Sequence, residues 1–261
     1  MLLPDLTESR ADRVWRGIRR WRGVVLVASA VVATIWLAVT NQLVLYIHPR
    51  YVIFTVIMAV IALVIIVASV STRNGHDHDE PESGRQKLIS GLAVGVSLLL
   101  AIGLIAIPPA VLTSSTVAQR DINSSGIGAE VTSVEDVSSS PVAAFAKFTV
   151  LDWASLLRQT TDVAFYADKP VDVVGFVTAD PDDPENVYYV SRFIVTCCAV
   201  DAQPVGVPVY APNWQQDLAV DDWVQVTGSF GVNPSSSSTQ SIAVTADTVT
   251  PIEEPDEPYL F

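Results

Sequence analysis

The sequence predicts a membrane α-helical N-terminal part of three spans, joined to an all-β C-terminal domain that forms a small five-stranded OB-like barrel. Three observations predict it. The mean hydropathy is positive, +0.39, yet the net charge is −13. One soluble domain rarely combines the two, so apolar and acidic residues should be segregated. They are: residues 1–108 carry ten Lys/Arg against seven Asp/Glu, and residues 109–261 carry five against twenty-one. The other two observations are three uncharged apolar stretches in the first half and, from Val171 onward, an apolar period of two.

Residues 1–22 form a basic N-terminus, with Arg10, Arg13, Arg16, Arg19, Arg20 and Arg22 ahead of the first apolar run. A signal peptide begins the same way, but two further spans follow, which favours an uncleaved signal-anchor. Residues 23–108 are the three-span region. Gly23 to Val39 is uncharged and extends weakly towards Ile47; Tyr51 to Val70 is the second span; Leu88 to Ile107 is the third, ended by Pro108-Pro109. About 20 apolar residues cross a bilayer core. Gly91 and Gly95 in the third stretch have the GxxxG spacing of helix contacts in membranes. Positive charge sets the orientation. The arginine cluster keeps the N-terminus in the cytoplasm, loop 71–87 returns there with Arg73, Arg85 and Lys87, and three spans place residues 109–261 outside. The expected location is therefore the cell membrane, multi-pass, with an extracytoplasmic C-terminal domain.

Residues 109–147 are rich in Ser and Thr and read as a linker that cannot fold by itself. A short helix should follow: Thr149 can cap it, Asp152 stands three residues on, and Trp153, Leu156 and Leu157 share a face. The domain proper spans 148–252. Strands are expected at about 171–178, 187–196, 205–210, 222–230 and 240–250, separated by turns such as Asp180-Pro181-Asp182-Asp183-Pro184. Five strands in so short a stretch fit a closed OB-like barrel better than an open sandwich. Gly175 inside the first strand marks a bulge or close bend. Residues 253–261 read as a disordered acidic tail.

The densest chemistry lies in Arg192 to Gly206, RFIVTCCAVDAQPVG, which holds the protein's two cysteines side by side. Three readings of it stay open. Cys197 and Cys198 are soft ligands for zinc or another thiophilic metal, with Asp201 as a carboxylate ligand. Successive strand residues point to opposite faces, so both thiols reach one ion only if the chain bends there. No histidine lies in 109–261, so further ligands would come from a partner. In the second reading the pair is redox-active, which needs an exposed, low-pKa thiol. In the third, the cysteines are small buried hydrophobes. Arg192 braces the turn by pairing with Asp201 or binds an anion, and Pro204 and Gly206 turn the chain out of it.

Histidine is otherwise sparse. His76 and His78 stand among carboxylates in loop 71–87; they could ligate metal but read better as a solvated loop. His48, at the outer end of the first hairpin, reads as an interfacial residue rather than a ligand. No GxSxG, HExxH, Walker or dinucleotide motif is present, and an outer domain without histidine excludes a Ser/His/Asp or Cys/His mechanism within the chain, so a non-enzyme is expected. An acidic surface without a basic patch excludes nucleic acid as a partner.

The stretch Arg192 to Val209 resembles the signature of the YcgQ-like family of bacterial permease subunits, through Arg192, Cys197, Cys198, Asp201, Ala202, Pro204 and Gly206. The upstream FTVLDWASLL, the strand VDVVGFVT and the order of spans, His/acid loop and C-terminal domain are similar as well. The resemblance implies an accessory membrane subunit that partners a multi-span permease in the same bilayer, with a link to metal handling, zinc included. The function expected is thus a permease subunit whose outer domain binds a metal or cation, or docks the permease, through the Cys-Cys segment. The alternatives are a membrane-anchored thiol redox protein or envelope redox sensor, and a structural assembly factor.

Overall fold

A computed structural model describes residues 10–72, 84–106, 111–124 and 132–261. The chain divides into two compact units, one of Met1–Val44 with Pro49–Pro109, the other of Leu45–His48 with Ala110–Phe261.

The first unit is helical. It comprises α1 (Arg10–Val39), α2 (Pro49–Thr72) and α3 (Gly84–Ala106), with α1 packed on both of the others. Among the described residues one helix, Pro49–Ala68, is long and apolar enough to cross a membrane; the apolar part of α1 is the shorter Val27–Val39. Of the three spans expected from sequence, then, one meets both criteria of length and apolarity. The reason in α1 is that its helix starts within the arginine cluster, so only its C-terminal part is apolar. On α2 the side chains of Ile53, Phe54, Val64 and Ile65 are exposed, which a helix inside a soluble core does not show. A Cβ built on Gly95 meets nothing within 4 Å, so Gly95 makes no close contact with the described residues. His76 and His78 lie outside the described residues.

The second unit is built on one six-stranded sheet: β1 (Pro170–Ala179), β2 (Val187–Ile194), β3 (Gln203–Tyr210), β4 (Trp223–Val232), β5 (Ile242–Pro251) and β6 (Tyr259–Leu260). The strand order is β1-β4-β5-β3-β2-β6, and β1 also pairs β2, so the pairings return to β1. All pairs in this circuit are antiparallel except β3 with β5, which are parallel at Val209↔Val244 and Tyr210↔Thr245. β1 serves two partners by bending at Gly175. Its first part pairs β4 and its last residues, from Phe176, pair β2. A Cβ at Gly175 would stand 2.5 Å from the Ser191 carbonyl oxygen, so only glycine admits this approach.

Short helices α4 (Ser114–Val117), α5 (Val134–Val137), α6 (Val150–Gln159) and α7 (Val163–Tyr166) pack around the sheet. The expected capping box holds α6: the Thr149 hydroxyl accepts from the Asp152 amide, and the Asp152 carboxylate accepts from the Thr149 amide. Trp153 and Leu156 are fully buried, and Leu157 is partly so. They join Val171, Val177, Val190, Val207, Val224 and Phe230 in the main core. A second cluster holds Val117, Phe176, Phe193, Val195, Trp223 and Tyr259.

Two expectations change. The 109–147 stretch is not a bare linker where it is described: Val117, Val137 and Phe145 are buried against the sheet domain, since isolated apolar residues in a polar stretch still find a neighbouring core. The tail is not free either. Tyr259 and Leu260 pair in parallel with Phe193 and Ile194 as a sixth strand. They occupy the edge of β2 that β1 leaves after Ser191.

Candidate thiol site

Between β2 and β3 the chain reverses through Val195 to Ala202, with a 3-10 turn at Ala199–Asp201. One carboxylate shapes this reversal. Asp201 Oδ2 accepts from the amides of Cys197 at 2.8 Å and Cys198 at 3.3 Å, while Oδ1 accepts from the Thr196 amide at 3.2 Å. The Asp201 amide returns to the Cys198 carbonyl at 2.9 Å, and the Cys198 sulfur accepts from it too. Three successive N–H groups can point at one carboxylate only if the backbone leaves the extended form, and charge-assisted bonds of this kind are the strong ones. The bend that both thiols need to face one ion is therefore supplied by Asp201.

The result is a cluster. One ligand atom each from Cys197, Cys198 and Asp201 lie within 4.8 Å of one another, with Cys197 exposed and the other two half-buried. Two Zn–S bonds of about 2.3 Å at a tetrahedral angle separate the sulfurs by about 3.8 Å, so small side-chain rotations suffice. A carboxylate offers about four lone-pair sites. Three are spent on amides, which leaves one on Oδ1. Asp201 is thus first the organiser of the turn and at most a single-oxygen ligand.

The turn is held from two further sides. The segment Leu45–His48 lies against it as a short antiparallel partner: Ile47 bridges Cys198, the His48 amide donates to the Cys197 carbonyl at 3.0 Å, and the Ala199 amide donates to the Tyr46 carbonyl at 2.9 Å. Arg120 Nη2 donates to the Val200 carbonyl at 2.9 Å. Val200 itself is exposed at the apex.

The remaining signature residues are structural. Arg192 does not pair with Asp201. Its Nε donates to the Pro258 carbonyl at 3.1 Å, its Nη2 donates to the Glu257 carbonyl, and its guanidinium lies over the Trp223 ring. It clamps the C-terminal segment so that β6 can pair β2. Burial pulls its pKa below the usual guanidinium value, with the Glu257 charge opposing. Pro204 and Gly206 do not turn the chain out; they lie inside β3, opposite Phe193 and Ser191. A Cβ on Gly206 would press on Tyr189 and the Ser191 hydroxyl at 3.1 Å. Asn123, whose φ is +58°, binds the Gly206 amide and carbonyl with its side chain, both at 2.9 Å, and its own amide donates to the Pro204 carbonyl. It completes an edge of β3 that β5 reaches only at Val209 and Tyr210.

Sequence reasoning missed Asn123, Arg120 and the pairing of Leu45–His48 with the turn, and read His48 as an interfacial residue. An asparagine in a polar stretch is a weak signal of a positive-φ clamp, and nothing local to the other two marks them.

The class is that of a chain with an N-terminal helical unit and a sheet domain that presents a carboxylate-bent pair of adjacent thiols. Residues 22–123 match the family model of the DUF1980 N-terminal domain, and residues 145–261 match that of the DUF1980 C-terminal domain. The chain thus carries both domains of DUF1980, a family of unknown function. Comparison with curated proteins and with solved structures returns no match.

Proposed function

We propose that this protein is an accessory membrane subunit of a permease, YcgQ-like, whose outer domain takes a thiophilic metal ion, zinc or copper(I), through Cys197 and Cys198. The observation that carries the proposal is the convergence of Cys197, Cys198 and Asp201 within 4.8 Å on a turn bent by Asp201 itself. A thiol pair kept only as small hydrophobes has no need of an exposed position, and Cys197 is exposed. Soft thiolates select zinc and copper(I) over magnesium or calcium.

In this reading the apolar stretches 23–39, 51–70 and 88–107, carried by α1, α2 and α3, are three spans with the N-terminus in the cytoplasm and residues 109–261 outside. The length and apolarity of Pro49–Ala68 support it, as does the low Lys/Arg content of 109–261. The circuit of pairings through β1–β5 supports an OB-like barrel as the metal-bearing domain. Spans without internal charge do not suit a pore of their own, so the transported species passes through a multi-span partner in the same bilayer. No catalytic role is assigned to any residue.

The test is elemental analysis of the full chain, purified in detergent and reducing buffer, beside Cys197→Ser/Cys198→Ser. Stoichiometric zinc or copper in the parent alone is the expected result, together with co-purification of a multi-span membrane protein. Metal in neither sample overturns the metal reading, and thiol-disulfide turnover by the parent would put redox chemistry in its place.

A further inference from the structure

We infer that His48 is a ligand of the same metal, which makes the site a Cys197/Cys198/His48 centre with one position open. The inference rests on the thiol-site reading above and supplies the nitrogen donor that residues 109–261 lack. Its basis is register. Ile47 bridges Cys198, and the flanking bonds run from the His48 amide to the Cys197 carbonyl and from the Ala199 amide to the Tyr46 carbonyl. In an antiparallel ladder that pattern sets His48 directly opposite Cys197. Directly opposed residues have Cβ atoms about 5 Å apart on one face, and the bend that Asp201 imposes brings the Cys198 thiol to within reach of Cys197 on that side. The His48 ring stands outside the group of ligand atoms that Cys197, Cys198 and Asp201 form within 4.8 Å, and a rotation of the ring is the change that brings its nitrogen to the thiols.

The His48 ring has an aromatic neighbour beside the turn. It stands edge-on to Phe261, with centroids 5.0 Å apart. Phe261 follows β6, which pairs β2 just before the Cys turn. The aromatic edge thus rests on the strand that leads into the thiols. Three protein ligands of the Cys₂His type with a fourth position left to water or an exchanging ligand define an open zinc site rather than a closed structural one. A site that must take up and release an ion is better served by this arrangement than by a closed tetrahedron.

Zinc is the probe, used on the full chain in detergent. Affinity is read by competition with a chromophoric chelator, and the ligand set by X-ray absorption at the zinc edge, for the parent, His48→Ala, His48→Cys and Cys197→Ser/Cys198→Ser. Loss of a residue that merely supports a ligand costs roughly 10–100-fold in metal affinity. His48→Ala is expected to cost about 100-fold or more and to remove the imidazole signal, while the sulfur signal stays. His48→Cys, which restores a donor, should recover most of the affinity. Should His48→Ala fail to fold, His48→Gln reads the same loss.

If His48→Ala binds zinc within about threefold of the parent, or keeps the imidazole signal, the inference falls and the thiol site stands. If the parent binds no zinc and matches the double cysteine variant, the thiol-site reading fails and takes the inference with it.

Discussion

Two loop systems of the sheet domain are organised by aspartate, to different ends. The β1–β2 connection is stapled to the β4–β5 connection. Asp180 accepts from the Ser238 hydroxyl at 2.5 Å, Asp182 from the Thr239 hydroxyl at 2.8 Å and Asp183 from the Ser235 hydroxyl at 2.5 Å. The partners are more than fifty residues apart, and Asp180 is buried. In the Cys turn, Asp201 accepts instead from amides three to five residues away. Carboxylates that meet hydroxyls from another loop fasten two segments together. A carboxylate that meets its own backbone bends it. The first arrangement closes a surface, whereas the second opens one and turns two thiols the same way.

The hardest blow to this contrast is Asp201→Ala. It strands three amides, and bonds to a charged acceptor are worth about 1.5–3 kcal/mol each without being additive. A loss of about 2–4 kcal/mol in denaturant unfolding is expected, along with faster labelling of Cys197 and Cys198 by a thiol reagent. An unchanged unfolding midpoint would mean that Asp201 does not shape the turn.

A smaller effect separates the staple by pH. The Ser235 hydroxyl above all holds the Asp183 carboxyl below the usual carboxylate range; desolvation opposes it, and bonds from Asn186 and the Glu185 amide add to the lowering. A lowered folded-state pKa gives stability that is fully present above the unfolded value of about 3.9 and is lost as pH falls through the folded value. Asp183→Asn should therefore flatten the acid limb of the stability curve below about pH 4 and converge with the parent at the lowest pH. Parallel curves for the two proteins would break the assignment.

The least effect is expected from the thiols. Cys197→Ser/Cys198→Ser without metal should shift stability by less than about 0.5 kcal/mol, as exposed or half-buried positions outside the core do. A larger loss would make the cysteines part of the packing and draw the two loop systems closer together in kind.

Much of the fold was legible. Period two located β1 to β5 within a few residues, and Thr149 with Asp152 announced the start of α6 through its capping box. Gly175 signalled a close approach because a missing side chain in a strand interior needs a reason, and the Ser191 carbonyl is that reason. The site was legible as a cluster of residue types but not as geometry. Asp201 read as a metal ligand, while most of its lone pairs serve the backbone. Arg192 read as its partner, while it holds the carbonyls of Glu257 and Pro258. Opposite charges near each other in sequence suggest a pair, but on β2 the Arg192 side chain leaves towards the C-terminal segment.

The sequence by itself determined the segregation of apolar from acidic residues, the strand periodicity and the adjacency of Cys197 and Cys198, because these are properties of local composition and spacing. Only the tertiary structure decided that the tail supplies a sixth strand, that Asn123 completes the edge of β3, and that His48 lies opposite Cys197. Each joins residues separated by some sixty to a hundred and fifty positions. Such pairings are chosen by which sheet edges and unpaired backbone groups remain after the core has formed, and no local pattern along the chain carries that information.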